Sequence, residues 1–112
     1  MNQQLQQLAS KKCKASNDKS GKLSDADVQA TLHRLPGWSL NEEAIVKTFS
    51  FKNFYETMAF VNAVAWIANR EDHHPDLTVS YNKCDVRYST HSVGGLSEND
   101  FICAAKVEML YL

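Results

Sequence analysis

The chain has 112 residues, 44% of them hydrophobic and 22% charged, with a formal net charge of −1. That is the size of one ordinary domain, with apolar material for a single core. The balance excludes a disordered chain, and the near-neutral charge removes any electrostatic reason to expect nucleic acid or an anionic membrane as partner.

Residues 1–22, rich in Gln, Lys, Ser and Asn, read as a flexible leader. Lys11, Lys12, Lys14, Lys19 and Lys22 are diluted by polar residues, so a solvated tail is expected rather than a basic arm. No apolar run marks a secretory signal. The folded domain is expected over residues 23–112. A first helix is expected from Ser24, where Asp27 completes a capping-box pattern; Val28, Leu32 and Leu35 fall on one face, and Pro36-Gly37 stops it. Trp38 to Asn41 and Ile45 to Phe51 pattern as a hairpin with Glu42-Glu43 near its turn.

A second helix is expected from Asn53, with Phe54, Met58, Val61, Ala65 and Ala68 at helical spacing and Pro75 as its limit. Its apolar-rich stretch, Met58 to Ala68, is broken by Asn62 and too short to span a bilayer. Leu77, Val79 and Tyr81 then alternate with polar residues, as do Cys84, Val86, Tyr88 and Thr90. Only Asn82-Lys83 separates the two runs, so they are expected to pair as an antiparallel hairpin. A third helix starts at Ser97, with Asp100 three residues on and Ile102, Ala105 and Met109 as its stripe. The order predicts an α+β fold: a four-stranded antiparallel sheet with three helices packed on one face.

Cys13, Cys84 and Cys103 are odd in number and widely spaced, which excludes a disulfide framework and a paired-cysteine zinc motif. A reducing compartment, the cytoplasm, fits this usage. Nothing near Cys84 or Cys103 marks an activated thiol, and both read as packing residues. His33 reads as a helix-end residue.

The segment Glu71-Asp72-His73-His74-Pro75 is the most unusual in the chain. Pro75 pushes His74 out of helical geometry. His91 follows the outer end of the next hairpin, so a short turn brings it back beside the His73-His74 corner. Imidazoles gathered at a cleft suit general acid–base catalysis, because they titrate near neutral pH. They also suit zinc, but adjacent histidines diverge on a regular backbone and no third ligand follows at helical spacing, so no metal is expected. The bland alternative is a helix end whose imidazoles touch its last carbonyls.

These residues resemble the pterin-4a-carbinolamine dehydratase family. The resemblance rests on Glu71-Asp72-His73-His74-Pro75, on Val79, Tyr81-Asn82-Lys83 and Val86, and on Ser89-Thr90-His91. It continues through Gly95-Leu96-Ser97 and Asn99-Asp100, with Gly37-Trp38 and Phe51-Lys52-Asn53-Phe54 upstream, and so runs from about Leu23 onward. It implies a small α+β enzyme, a hydro-lyase working without metal or organic cofactor. Its substrate would be the 4a-hydroxytetrahydropterin released by aromatic amino-acid hydroxylases, and its products quinonoid dihydropterin and water. By position it implies His73, His74, His91 and Asp100 as catalytic residues. Asp72, His73, His74, Ser89, Thr90, His91 and Ser92 would bind the pterin. Ser92 stands where vertebrate members carry an acidic residue, keeping hydrogen-bonding ability but not charge. His73 and His91 are expected to exchange protons while His74 positions the ring. Asp100 has two candidate roles, orienting His91 or capping the third helix.

A homodimer or homotetramer is expected. Phe101, Ile102, Val107, Met109 and Leu110 on the third helix exceed what one buried face needs, and self-association through that helix accounts for them. The rival reading from the same surplus is an interaction protein, because some vertebrate relatives also serve as dimerisation cofactors of a homeodomain transcription factor. A pterin-binding module without turnover is a third.

Overall fold

Ser24 does what its position predicts: its side chain accepts a hydrogen bond from the Asp27 N–H at 3.1 Å and starts a helix over Asp25–Leu32. It is the second of four helices in a computed structural model of the chain, which describes residues 3–14 and 21–111. In chain order the elements are α1 (Gln3–Ala9), α2 (Asp25–Leu32), β1 (Ser39–Asn41), β2 (Ala44–Ser50), α3 (Phe54–Glu71), β3 (Asp76–Val79), β4 (Lys83–Tyr88), a 3-10 turn (His91–Val93) and α4 (Glu98–Tyr111). The strands form one antiparallel sheet in the order β1-β2-β4-β3, and the fold is α+β as expected.

The sheet buries one face. Ile45, Phe49, Cys84, Val86 and Tyr88 are almost wholly covered, while Thr48 and Asp85 on the other face are exposed and hydrogen-bonded to each other at 2.6 Å. Trp38, Phe49 and Phe60 continue the core as a chain of aromatic contacts. At the far end of α4, the buried Glu108 accepts from Trp38 Nε1 at 2.9 Å and pairs with the Lys47 ammonium, which ties that helix to β2.

α2 is shorter than the proline stop suggests. After Leu32 the chain tightens into i→i−3 bonds, Arg34 N to Thr31 O and Leu35 N to Leu32 O, and Leu35 is still buried. α3 begins at Asn53, whose side chain accepts from the Glu56 N–H. Its buried face is Thr57, Phe60, Val64, Ile67 and Ala68; of the expected stripe Ala68 is buried and Val61 packs at the edge of the core, while Phe54 and Ala65 are exposed. The helix is apolar over most of its circumference, so two stripes fit the 3.6-residue period. The aromatic residues of the sheet choose between them: Phe60 packs on Phe49 and Phe51 at 4.8 and 5.0 Å between ring centroids, and Phe54 is left exposed.

The β3–β4 turn is Tyr81-Asn82, not Asn82-Lys83. Val79 pairs with Cys84, and the Ser80 N–H donates to the Lys83 carbonyl at 2.9 Å. Moving the turn by one residue changes each cross-strand partner by two positions. Every side chain therefore keeps its face, and the inward set of Leu77, Cys84, Val86 and Tyr88 stands.

Part of the expected flexible leader is structured. α1 packs on α4, with Leu5 and Leu8 buried and the Lys106 ammonium donating to the Ala9 carbonyl at 2.7 Å. Seven residues are too few for a stable isolated helix, so local propensity gives no sign of it; burial against α4 supplies the stability. Residues 15–20, Lys19 among them, lie outside the described residues. α1 also covers part of α4. Phe101, Ile102 and Val107 are all buried within the chain, and only Met109 and Leu110 stay partly exposed. Three of the five surplus residues are thus used within the chain, and Met109 and Leu110 are the two left exposed for a second copy or another partner.

Candidate active site

The histidine corner is made by the end of α3. Asp72 takes the left-handed conformation (φ 53°, ψ 43°), and both its N–H and that of His73 point back to the Ala68 carbonyl. Short acidic residues tolerate this region better than most. The reversal turns His73 away from the helix axis and toward the start of α4. Pro75 then leads His74 into β3.

The second piece comes from beyond β4. Thr90 and Gly95 form an isolated antiparallel bridge, and the loop between them closes as the 3-10 turn, with Gly94 at φ 71°. His91 and Ser92 sit exposed on that loop while Thr90 is buried beneath it. Because β3 and β4 pair with Asp76 opposite Arg87, the residues just outside that pair, His73-His74 and Ser89–Ser92, lie side by side.

The third piece is the N-terminus of α4. Asp100 is fully buried. One oxygen meets His73 Nε2 at 2.6 Å; the other accepts from the Thr90 hydroxyl at 2.7 Å and from the Ser97 N–H at 3.0 Å. The Thr90 and Ser97 hydroxyls also bond to each other at 2.9 Å. An ionised carboxylate can only accept, so the bond to His73 is donated by the ring. That assigns hydrogen to Nε2 and leaves Nδ1 as the nitrogen able to take a proton. His73 also stacks on Tyr88, with ring planes 9° apart and centroids 5.8 Å apart, so carboxylate and aromatic face together hold its orientation.

Asp100 thus fills both expected roles in altered form. It closes the capping box of α4 through Ser97, and it orients an imidazole. The imidazole is His73, not His91, because the αL reversal at Asp72 delivers His73 to the helix terminus.

A cavity of about 570 Å³ is lined by Asp72, His73, His74, Ser89, Thr90, His91 and Ser92. These are the residues expected to bind substrate, and Asp100 lies behind them. The volume is within the range of small-molecule sites. Glu71, Asn99, Cys13 and Lys14 complete the lining. Glu71 and Asn99 stand in the stretches that carry the family resemblance but were not expected to line the site, and Cys13 and Lys14 belong to the supposed leader. A larger, mostly apolar groove of about 630 Å³ between α1, α3 and α4 contains none of the histidines. Among the described residues no three of His, Cys, Asp and Glu are grouped so as to hold a metal ion, and no described helix is long and apolar enough to cross a membrane.

Tyr88 lies behind the wall, fully buried and stacked on His73. Its hydroxyl is buried without a hydrogen-bond partner among the described residues. Burial, and then the neighbouring Cys103, Cys13 and Asp100, push its pKa well above the tyrosine range. Cys103 is pushed up likewise, by its contact with Cys13 and by burial. Both groups stay protonated at neutral pH.

The model of the pterin 4 alpha carbinolamine dehydratase family matches residues 21–110. A protein of Nitrosospira multiformis, provisionally named a pterin-4-alpha-carbinolamine dehydratase, is 55% identical over 99% of this chain and 98% of its own. One of Xanthomonas campestris pv. campestris with the same provisional name is 62% identical over 80% of this chain and 78% of its own. The crystal structure of a transcriptional coactivator/pterin dehydratase from Brucella melitensis superposes with a TM-score of 0.79 at 33% identity, covering 81% of this chain and 99% of that one. With a match across nearly all of the chain beyond its first helix, and relatives more than half identical, the protein belongs to the pterin-4a-carbinolamine dehydratase family.

Proposed function

We propose that the protein dehydrates 4a-hydroxytetrahydropterins by histidine acid–base catalysis, returning the pterin cofactor of aromatic amino-acid hydroxylases to use. The observation that carries the reading is one cavity lined by three imidazoles, one of them held in orientation by a buried carboxylate. In the reaction the C4a–O bond breaks and its electron pair leaves with the oxygen, which takes a proton and departs as water. A base removes a proton from a ring nitrogen, and the freed pair forms the C=N bond of the quinonoid product. His73, with Nδ1 unprotonated, is the base. His91, on the facing loop, protonates the departing oxygen. His74 positions the ring, and Asp72, Ser89, Thr90 and Ser92 supply hydrogen bonds to its polar edge. Positioned acid–base groups of this kind contribute about 10²–10⁴ in rate.

The reading extends to a reducing compartment, with which three free cysteines agree, and to a homo-oligomer. The test is decay of the 4a-hydroxy species, followed optically with chelator-treated protein. Wild type is expected to accelerate it. The His73→Ala/His91→Ala double variant is expected to lose about 10³-fold or more of that rate while keeping its circular dichroism. Full activity in the folded double variant sinks the mechanism.

A further inference from the structure

The cavity has a wall that does not come from residues 21–110, the part matched by the family model. After α1 the chain runs through Lys12, Cys13 and Lys14 as an irregular strap along the rim of the site, and Cys13 and Lys14 both line the cavity. The strap is fastened at several points. The Cys13 N–H donates to Glu71 Oε1 at 2.9 Å. The Asn99 side chain grips Lys14 in both directions, accepting from its N–H at 3.0 Å and donating to its carbonyl at 2.6 Å. Beneath, the Cys13 and Cys103 sulfurs touch at 3.4 Å.

The anchors adjoin the working residues. Glu71 precedes Asp72, and Asn99 precedes Asp100. Both anchors are largely covered: the Glu71 side chain is 7% exposed and Asn99 is 6% exposed. A mutual amide–backbone bond by a buried Asn specifies backbone position in a way that solvent-facing contacts do not. Lys14 is also the only lysine or arginine among the described residues lining the cavity, where it faces a lining that includes two carboxylates and three imidazoles. An ammonium donates and cannot accept, so the ligand atom it suits is an oxygen acceptor. A hydroxylated pterin has such atoms in its ring carbonyl and its side-chain hydroxyls.

We propose that the Cys13-Lys14 strap is a substrate-binding wall of the active site, and that Lys14 strengthens pterin binding by donating to a ligand oxygen without taking part in proton transfer. This rests on the dehydratase reading above. It assigns binding to a segment of the chain that sequence alone reads as a solvated tail.

The experiment is steady-state kinetics on the full chain with Lys14→Ala, Lys14→Gln and Lys14→Arg, alongside equilibrium binding of 7,8-dihydropterin as an unreactive probe. Lys14 is exposed, so these variants are expected to melt as wild type does. For Ala and Gln, KM and the probe's Kd should each rise about 5- to 20-fold with kcat within about twofold, as for lost uniform binding; Arg should restore most of the affinity. Asn99→Asp keeps the acceptor but turns the donor into a carboxylate facing the Lys14 carbonyl, so it should raise KM in the same direction. If wild type turns over and binds the probe but the Lys14 variants match it in KM and Kd, the strap proposal fails and the dehydratase reading stands. A fall in kcat at constant KM also overturns it, by making Lys14 part of the chemistry. A wild-type protein that neither turns over nor binds the probe removes the dehydratase reading and this proposal together.

Discussion

The two sides of the histidine cavity are built on opposite principles. On one side His73 is held by a buried carboxylate, which is itself held by Thr90 and the Ser97 N–H, with Tyr88 stacked behind. On the other, His74 and His91 stand exposed, His91 on a six-residue loop closed by a single bridge. The difference teaches where preorganisation is built before substrate arrives. The base role proposed for His73 requires the right tautomer and angle in advance, and a buried network favours both. The proton-donor role proposed for His91 can be aligned by the substrate itself, so an exposed imidazole on a short loop suffices for it.

The largest effect is expected on the locked side. Asp100→Asn keeps an acceptor but can present an NH2 toward either His73 or the Ser97 N–H, so the tautomer and the helix cap cannot both be kept. Turnover should fall by about 10²-fold or more, and stability by about 1–2 kcal/mol as the cap is impaired, read from kcat and from denaturant unfolding. Loss of stability with unchanged kcat would leave Asp100 as a cap only, and the asymmetry of the cavity would collapse.

The exposed side should separate activity from stability. His91→Ala should lower kcat by about 10²-fold while shifting unfolding by no more than about 0.5 kcal/mol, the usual range for surface changes. His74→Ala should mainly raise KM. If His91→Ala destabilised the protein as much as Asp100→Asn does, the contrast between a locked and a free imidazole would be wrong.

The smallest effect concerns the back of the locked wall. Tyr88→Phe preserves the stack on His73 and removes a buried hydroxyl without a partner among the described residues, so stability at neutral pH should change by less than about 1 kcal/mol, in either direction. At alkaline pH the two proteins should diverge. Folded Tyr88 keeps its proton where an unfolded tyrosine, with a pKa near 10, has lost it. Its contribution is therefore full below about pH 10 and declines as pH rises beyond that. Cys84 and Cys103, also raised, add the same sign of dependence from about pH 8.5 upward. Unfolding free energy followed from about pH 7 to 10.5 should fall less steeply in Tyr88→Phe at the upper end. Equal slopes there would mean that Tyr88 ionises normally in the folded state.

Much of this was legible from local pattern. The caps at Ser24 and Asn53, the strand alternation and the turn at Glu42-Glu43 are interactions between near neighbours in the chain, and near neighbours are what a sequence displays. The grouping of His73, His74 and His91 was legible too, because a short hairpin carries its own geometry, and an error of one residue in the turn left every side chain on its face. What only the tertiary structure decided are contacts between distant residues. Asp100 meets His73 instead of His91 because a left-handed Asp72 reverses the chain at the end of α3. α3 shows the sheet Phe60 and Val64 instead of Phe54 and Ala65 because Phe49 and Phe51 select that face. Gln3–Ala9 is helical, and Lys14 borders the cavity, only because α4 and Asn99 lie across the molecule to receive them. A seven-residue helix and a lysine-rich strap have no local energy of their own that would reveal them; the free energy that orders them arises from burial and hydrogen bonds to residues some ninety positions away.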